Sequence, residues 1–140
     1  MVKFFKKNLK TVLFVVFVWF TGQAHVPPVK KLPEFKEKTV LATYYHAKTG
    51  AYTASGARVN SAKVKNKEHR WIAISRDLRK EFKFGDTVVI SSKLHGLNGK
   101  WVVRDLMHQR WRNRIDFLLD RLEPKEIKFY MPDSMCIRKL

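Results

Sequence analysis

KWVVRDLMHQRWRNRIDFLL, residues 100–119, reads as two short strands and the loop between them. KWVVRD (100–105) and RIDFLL (114–119) are dense in Val, Ile, Phe and Trp over six residues each, the length and composition of strands. LMHQRWRN between them has no apolar period and is a loop. Asp105 ends the first strand and Asp116 sits inside the second, with His108, Arg110, Arg112 and Arg114 between them. Three chemistries suit that pattern: a basic loop for nucleic acid, a set of surface ion pairs, or catalytic carboxylates framed by arginines.

Outward from this segment the strand signal repeats. TVLATYYH (39–46), RWIAI (70–74) and DTVVIS (86–91) are of strand length and bounded by turn chemistry such as FGD and HGLNGK. KTGAYTASGARVNSA (48–62) is rich in Gly, Ser, Thr and Asn without a period, which predicts a long loop. SRDLRKEFKFG (75–85) predicts one short helix, capped by Ser75, with Leu78 and Phe82 on one face at i and i+4. A last short helix or turn is expected from EPKEIKFY (123–130), and MPDSMCIRKL (131–140) is expected to return as an edge strand. Five or six short strands with one or two short helices predict an all-β fold. A closed barrel is expected over a sandwich, because closure removes exposed edges and these strands carry no edge-protecting prolines.

Charge bears on partners. The chain carries 29 Lys+Arg against 12 Asp+Glu, a formal net charge of +17. Such an excess points to a polyanion: nucleic acid, an acidic membrane surface or an anionic wall polymer. MVKFFKKNLKTVLFVVFVWFTGQA (1–24) sets four lysines before an uncharged apolar run and ends on small residues, the pattern of a secretory signal cleaved after Ala24 or kept as an anchor. Its apolar run is short of the roughly 20 residues that span a bilayer. HVPPVKKLPEFKEK (25–38) reads as a linker to a single domain over 39–140. Loss of residues 1–24 removes four lysines and no acid, leaving 25 basic and 12 acidic residues, a net +13, so the charge belongs to the domain. The single Cys136 allows no internal disulfide. No His/Cys cluster has metal-ligand spacing and no phosphate-binding glycine motif occurs, so neither metal nor nucleotide cofactor is expected.

TASG (53–56) follows a tyrosine-rich strand, ATYYH. WIAISRDLRKEFKFGDTVVI (71–90) then gives a strand, a helix and an F-G-D turn, and the pair in RD…NRID lies eleven residues apart. This order and spacing resembles the three-aspartate (3D) domain family, double-psi β-barrels related to the C-terminal region of membrane-bound lytic transglycosylase A and to rare lipoprotein A. The resemblance spans roughly residues 39–120. It implies a six-stranded double-psi β-barrel that cleaves peptidoglycan, with Asp116 as the general acid/base and Asp105 lining the same site. Two departures stand out. Ser75 occupies the position at which an aspartate follows the first of these strands, and Asp77, two residues on, is not taken as its replacement. The glycine-rich loop after the middle aspartate is replaced by LMHQRWRN.

Cleavage of the lytic transglycosylase type can run on one carboxyl group. The acid protonates the glycosidic oxygen, and its carboxylate then takes the proton of the 6-hydroxyl that closes a 1,6-anhydro ring, unlike the two-carboxylate pattern of ordinary glycosidases. Asp116 must then hold a proton near neutral pH, which needs desolvation or a neighbouring anion; Asp105 supplies one if the two strands lie side by side. Arg114 opposes this, because residues 114 and 116 share a face of a strand, so it must point away. Thr53 and Ser55 are candidate partners for sugar hydroxyls. Tyr44 and Tyr45 alternate faces, one for the core and the other for a sugar groove; Tyr45 is the expected groove residue. His108 is a candidate substrate contact, and Trp111 a platform for a sugar ring. The competing reading makes both aspartates structural acceptors of backbone N–H groups and arginines. Expected partners are peptidoglycan glycan strands and, through the basic face, anionic wall polymers or a membrane surface, with the chain exported and monomeric. A non-catalytic wall-binding barrel is the alternative. A nucleic-acid binder is a third, which the export signal argues against.

Overall fold

Each strand of the computed structural model sends a pair of apolar side chains inward, at the period of two that a pleated wall imposes. They are Val40 and Ala42, Ile72 and Ile74, Val88 and Ile90, Trp101 and Val103, Ile115 and Phe117, and Met135 and Ile137, all buried. The structure describes residues 36–140; the expected signal and most of the expected linker lie outside the described residues. The strands are β1 (Lys38–Tyr45), β2 (Trp71–Ile74), β3 (Thr87–Ser91), β4 (Gly99–Leu106), β5 (Arg114–Leu118) and β6 (Asp133–Lys139). They close in the order β1-β5-β2-β4-β3-β6. β1 with β5 and β2 with β4 are parallel, and the remaining pairs are antiparallel. Exchanging β1 with β4, β2 with β5 and β3 with β6 maps this ring onto itself, the pseudo-two-fold order of the expected double-psi barrel.

Leu78, Phe82, Leu97, Leu119 and Phe129, from outside the strands, complete this core. Phe117 meets Trp101 edge-on at 4.6 Å and Phe129 at 6.2 Å, which ties β5 to β4 across β2 and both to Phe129. A second, smaller cluster lies on the outer face. There Val59, Val64 and Leu118 pack with Tyr45, Ala47 and Trp71, so the 46–70 segment is glued to the outside of β1, β5 and β2.

Several expectations are corrected. The short helix expected within 75–85 is present as a 3-10 helix over Arg76–Lys80, but the expected Ser75 side-chain cap is not made. The Ser75 hydroxyl instead accepts the Arg114 N–H at 3.0 Å, and its own N–H donates to the Arg114 carbonyl at 2.9 Å. β5 takes these groups before the helix can. Leu78 and Phe82 are buried as their spacing predicts. β6 is no edge strand, since it lies between β1 and β3. The long polar loop ends in a helix, α1 (Ser61–Lys65), whose N-cap Asn60 accepts the N–H groups of Ala62 and Lys63. The last helix, α2, is one turn over Glu123–Glu126.

Candidate functional site

Register places the two aspartates. Asp116 on β5 stands opposite Ala73 on β2, and Ala73 stands opposite Asp105 on β4. On its other side Asp116 stands beside Thr43 of β1. One row therefore runs Thr43, Asp116, Ala73, Asp105 across four strands. The strands of the two aspartates do not lie side by side, as the sequence reading assumed; β2 passes between them. At about 4.8 Å per strand the two aspartate Cα atoms stand about 10 Å apart. Alanine between them leaves the space above it open.

A β-bulge brings Asp105 to that face. Ile72 pairs with Val103 but Ala73 pairs with Asp105, so Arg104 is the extra residue. Simple alternation after the inward-facing Trp101 and Val103 would have turned Asp105 into the core. The bulge re-aims it outward, a recognised use of such insertions. The carboxylate is then fixed by three donors. Its Oδ1 accepts the N–H groups of Ala54 and Leu106, each at 2.8 Å, and its Oδ2 accepts the Tyr45 hydroxyl at 3.3 Å.

Asp116 is held differently. A single side-chain donor, the Thr43 hydroxyl, reaches its Oδ1 at 2.8 Å. Burial pushes its pKa above the ordinary carboxylate value, and the negative charge of Asp105 adds to this, against the Thr43 hydrogen bond. Tyr45 is raised too, by burial first and then by the charge and hydrogen bond of Asp105, so its hydroxyl stays a neutral donor. The row thus offers one carboxyl group rich in donors and one with a single side-chain donor and a raised pKa.

Both line a groove of about 280 Å³. Ala73 forms the floor, with Tyr45, Leu106 and Met107 around it, and His108 and Trp111 rise from the loop that follows β4. Arg114 shares the outer face of β5 with Asp116, yet forms no ion pair among the described residues. Its guanidinium lies 4.3 Å from the centre of the Trp111 ring, and that of Arg110 lies 4.7 Å from the same ring. The loop is pinned at its far end. The Asn113 N–H donates to Asp77 Oδ2 at 2.9 Å and its side-chain amide to the Thr39 carbonyl at 3.1 Å. Burial raises the Asp77 carboxyl, but hydrogen bonds from Ser75 and Asn113 and the Arg112 charge more than offset it and hold Asp77 below the usual range. Asp77 is therefore an anchor for the loop.

Of the residues singled out in the sequence, Asp105, Asp116, Tyr45, His108 and Trp111 come together in the groove. Tyr44 packs on the core, the opposite face to Tyr45. Thr53 and Ser55 are not among the groove-lining residues. Thr53 is buried, and its hydroxyl bonds to Ser55 at 3.0 Å and to the Ala57 backbone. The TASG turn contributes its backbone instead: the Ala54 N–H to Asp105 and the Ser55 N–H to the Arg104 carbonyl at 3.1 Å. Gly56, at φ +80°, supplies the left-handed residue that closes this turn. Sequence reasoning missed Thr43 and Ala73. Thr43 was accessible, being two residues from Tyr45 on the same strand face, whereas Ala73 needed the register. A larger cleft of about 420 Å³ lies beside His46, Lys48, Thr49 and Asp120. It lacks a pair of carboxyls held in contrasting environments, so we assign the site to the smaller groove. Among the described residues no three His, Cys, Asp or Glu side chains are grouped to hold a metal ion.

No family model matches the chain, and no curated protein matches it. Among solved structures it is similar to Streptomyces papain inhibitor, at 18% sequence identity and a TM-score of 0.51, over 78% of this chain and 98% of that one. At that identity the similarity shows the fold alone: a closed six-stranded barrel.

Proposed function

We propose that the groove cleaves the glycan strand of peptidoglycan in the lytic transglycosylase manner, with Asp116 as the acid and then the base. The observation that carries this reading is the contrast between the two aspartates. Asp105 is wrapped by three donors, while Asp116, half-buried and one strand removed from that charge, has one side-chain donor. The step balances on Asp116 alone. Its proton passes to the glycosidic oxygen as the bond from that oxygen to the anomeric carbon breaks. The carboxylate left behind takes the proton of the sugar's own 6-hydroxyl, whose oxygen bonds to the anomeric carbon. The 1,6-anhydro ring closes, Asp116 is protonated again, and no water is consumed. Ala73 leaves room for the sugar over the row, and Trp111 lines the groove beside it. On this reading the chain is a member of the 3D family and works outside the cytoplasm, as its first 24 residues suggest.

The test is muropeptide chromatography after incubating purified walls with the full chain. Anhydro-muropeptides are expected with the natural sequence and none with Asp116→Asn; equal yields from the two would sink the mechanism. A second reading, a wall-binding barrel without activity, draws on Ser75. The aspartate expected there by resemblance is replaced by a buried hydroxyl committed to Arg114. Strand binding with no cleavage product would establish it.

A further inference from the structure

The groove carries two charge signs in a fixed pattern. Asp105, Asp116 and Trp111 line it, and Arg110 and Arg114, just outside the lining, both lie against the Trp111 ring. Neither of these guanidiniums forms an ion pair among the described residues. The third arginine of the loop is accounted for: Arg112 donates to the Gln109 carbonyl at 2.8 Å and faces Asp77. The loop is also built in advance of any ligand. The Trp111 N–H donates to the His108 carbonyl at 3.0 Å, the Arg110 N–H to His108 Nδ1 at 3.3 Å, and Asn113 is tied to Asp77 and Thr39.

We infer that Arg110 and Arg114 form a subsite for an anionic substituent, a carboxylate or a phosphate, on a strand whose uncharged part lies over the two aspartates. Guanidinium forks match both groups in a bidentate way, and neither arginine has an acidic partner of its own among the described residues. The aspartates fix the remainder of the ligand. A continuous polyanion such as nucleic acid would lay its phosphates against the floor and be repelled, whereas a glycan bearing isolated anions meets acid and base in the right places. The inference rests on the proposed glycan substrate and adds which strands the groove prefers.

Binding separates it from catalysis. The full-length Asp116→Asn protein, which holds substrate without turning it over, is titrated with four probes by calorimetry. Two are peptide-stripped glycan strands with free lactyl carboxylates and the same strands after amidation with methylamine. The other two are strands carrying a phosphodiester polymer and the same strands after its removal with hydrofluoric acid. At least one anionic probe is expected to bind about tenfold or more tighter than its neutral counterpart, the range of a charge-assisted hydrogen bond. That ratio is expected to fall to near one when Arg110→Gln and Arg114→Gln are added, with the melting temperature confirming that the variant folds. The pair that shows the ratio identifies the carboxylate or the phosphate. Ratios near one for both pairs, ratios untouched by the arginine changes, or a single-stranded DNA bound more tightly than any glycan each overturn the subsite. Cleavage is scored separately with the natural sequence. Charge-dependent binding without cleavage removes the catalytic reading and keeps the subsite; cleavage without charge dependence does the reverse.

Discussion

Trp111 occupies Arg114 and keeps its charge off Asp116. The two β5 residues are i and i+2 on one outer face, about 6.6 Å apart along the strand, which is within easy reach of an arginine. The guanidinium nevertheless rests 4.3 Å from the Trp111 ring centre. Such a contact is worth about 0.5–1 kcal/mol at an exposed site, enough to decide between two positions of a flexible side chain. Trp111→Ala frees Arg114 to swing toward Asp116. An opposite charge within a few ångströms shifts a carboxyl toward its ionised form by about tenfold to a thousandfold in equilibrium constant. Among the groups around Asp116, the Thr43 and Tyr45 hydroxyls from β1 stay neutral, Ala73 of β2 is inert and Asp105 of β4 keeps its place; His108 is the other titratable group of the groove, and Arg114 is the mobile charge. The assay is carbon-13 NMR titration of the aspartate carboxyls, which needs no substrate. The Asp116 midpoint is expected to fall in Trp111→Ala, to return when Arg114→Gln is added, and to stay put in Arg114→Gln alone. An unmoved midpoint in Trp111→Ala, or one that the second change fails to restore, refutes the clamp. Loss of Trp111 as a groove wall also weakens substrate binding, but it does not move a titration measured without substrate.

Asp116→Asn is expected to stabilise the fold at neutral pH. The folded-state pKa of Asp116 lies above its unfolded value, so the stability its protonated form lends is fully present below the unfolded pKa and is lost as pH rises through the folded one. The melting temperature of the variant should therefore exceed that of the natural sequence by a margin that grows with pH through this window and vanishes in acid; a constant margin would mean that Asp116 does not titrate as described. Ala73→Val fills the space between the aspartates and is expected to cut product formation about a hundredfold, the scale of a misplaced substrate, while circular dichroism stays native. Undiminished activity would place the chemistry elsewhere. Phe117→Ala removes a fully buried ring that contacts Trp101 and Phe129, at an expected cost of about 3–5 kcal/mol, read by denaturant unfolding.

The strands were legible because each carries its own inward pair at period two, from Val40 and Ala42 to Met135 and Ile137. The turn chemistry was legible as well; Gly85 adopts φ +87° in the F-G-D turn and donates its N–H to the Val103 carbonyl at 2.9 Å. Non-local order was not. No residue in RIDFLL announces that β2 will lie between β5 and β4, so the aspartates were placed one strand too close. Ser75 looks like a helix cap in sequence because the competing partner, Arg114, is 39 residues away. The bulge at Arg104 was equally hidden, since a period-two reading of KWVVRD sends Asp105 inward. The opposition between Arg114 and Asp116 was visible in their spacing, but its resolution depends on where a loop tryptophan settles. The TASG turn was found for its hydroxyls and contributes its amides, a distinction that residue type cannot carry.

The most direct test of the central claim, that Asp116 closes an anhydro ring without using water, is mass spectrometry of the products formed from wall glycan in heavy-oxygen water. The predicted result is 1,6-anhydro ends that carry no solvent oxygen, made by the natural sequence and absent with Asp116→Asn. Reducing ends labelled with one heavy oxygen would show hydrolysis instead, and a complete lack of product would leave the barrel a binding protein.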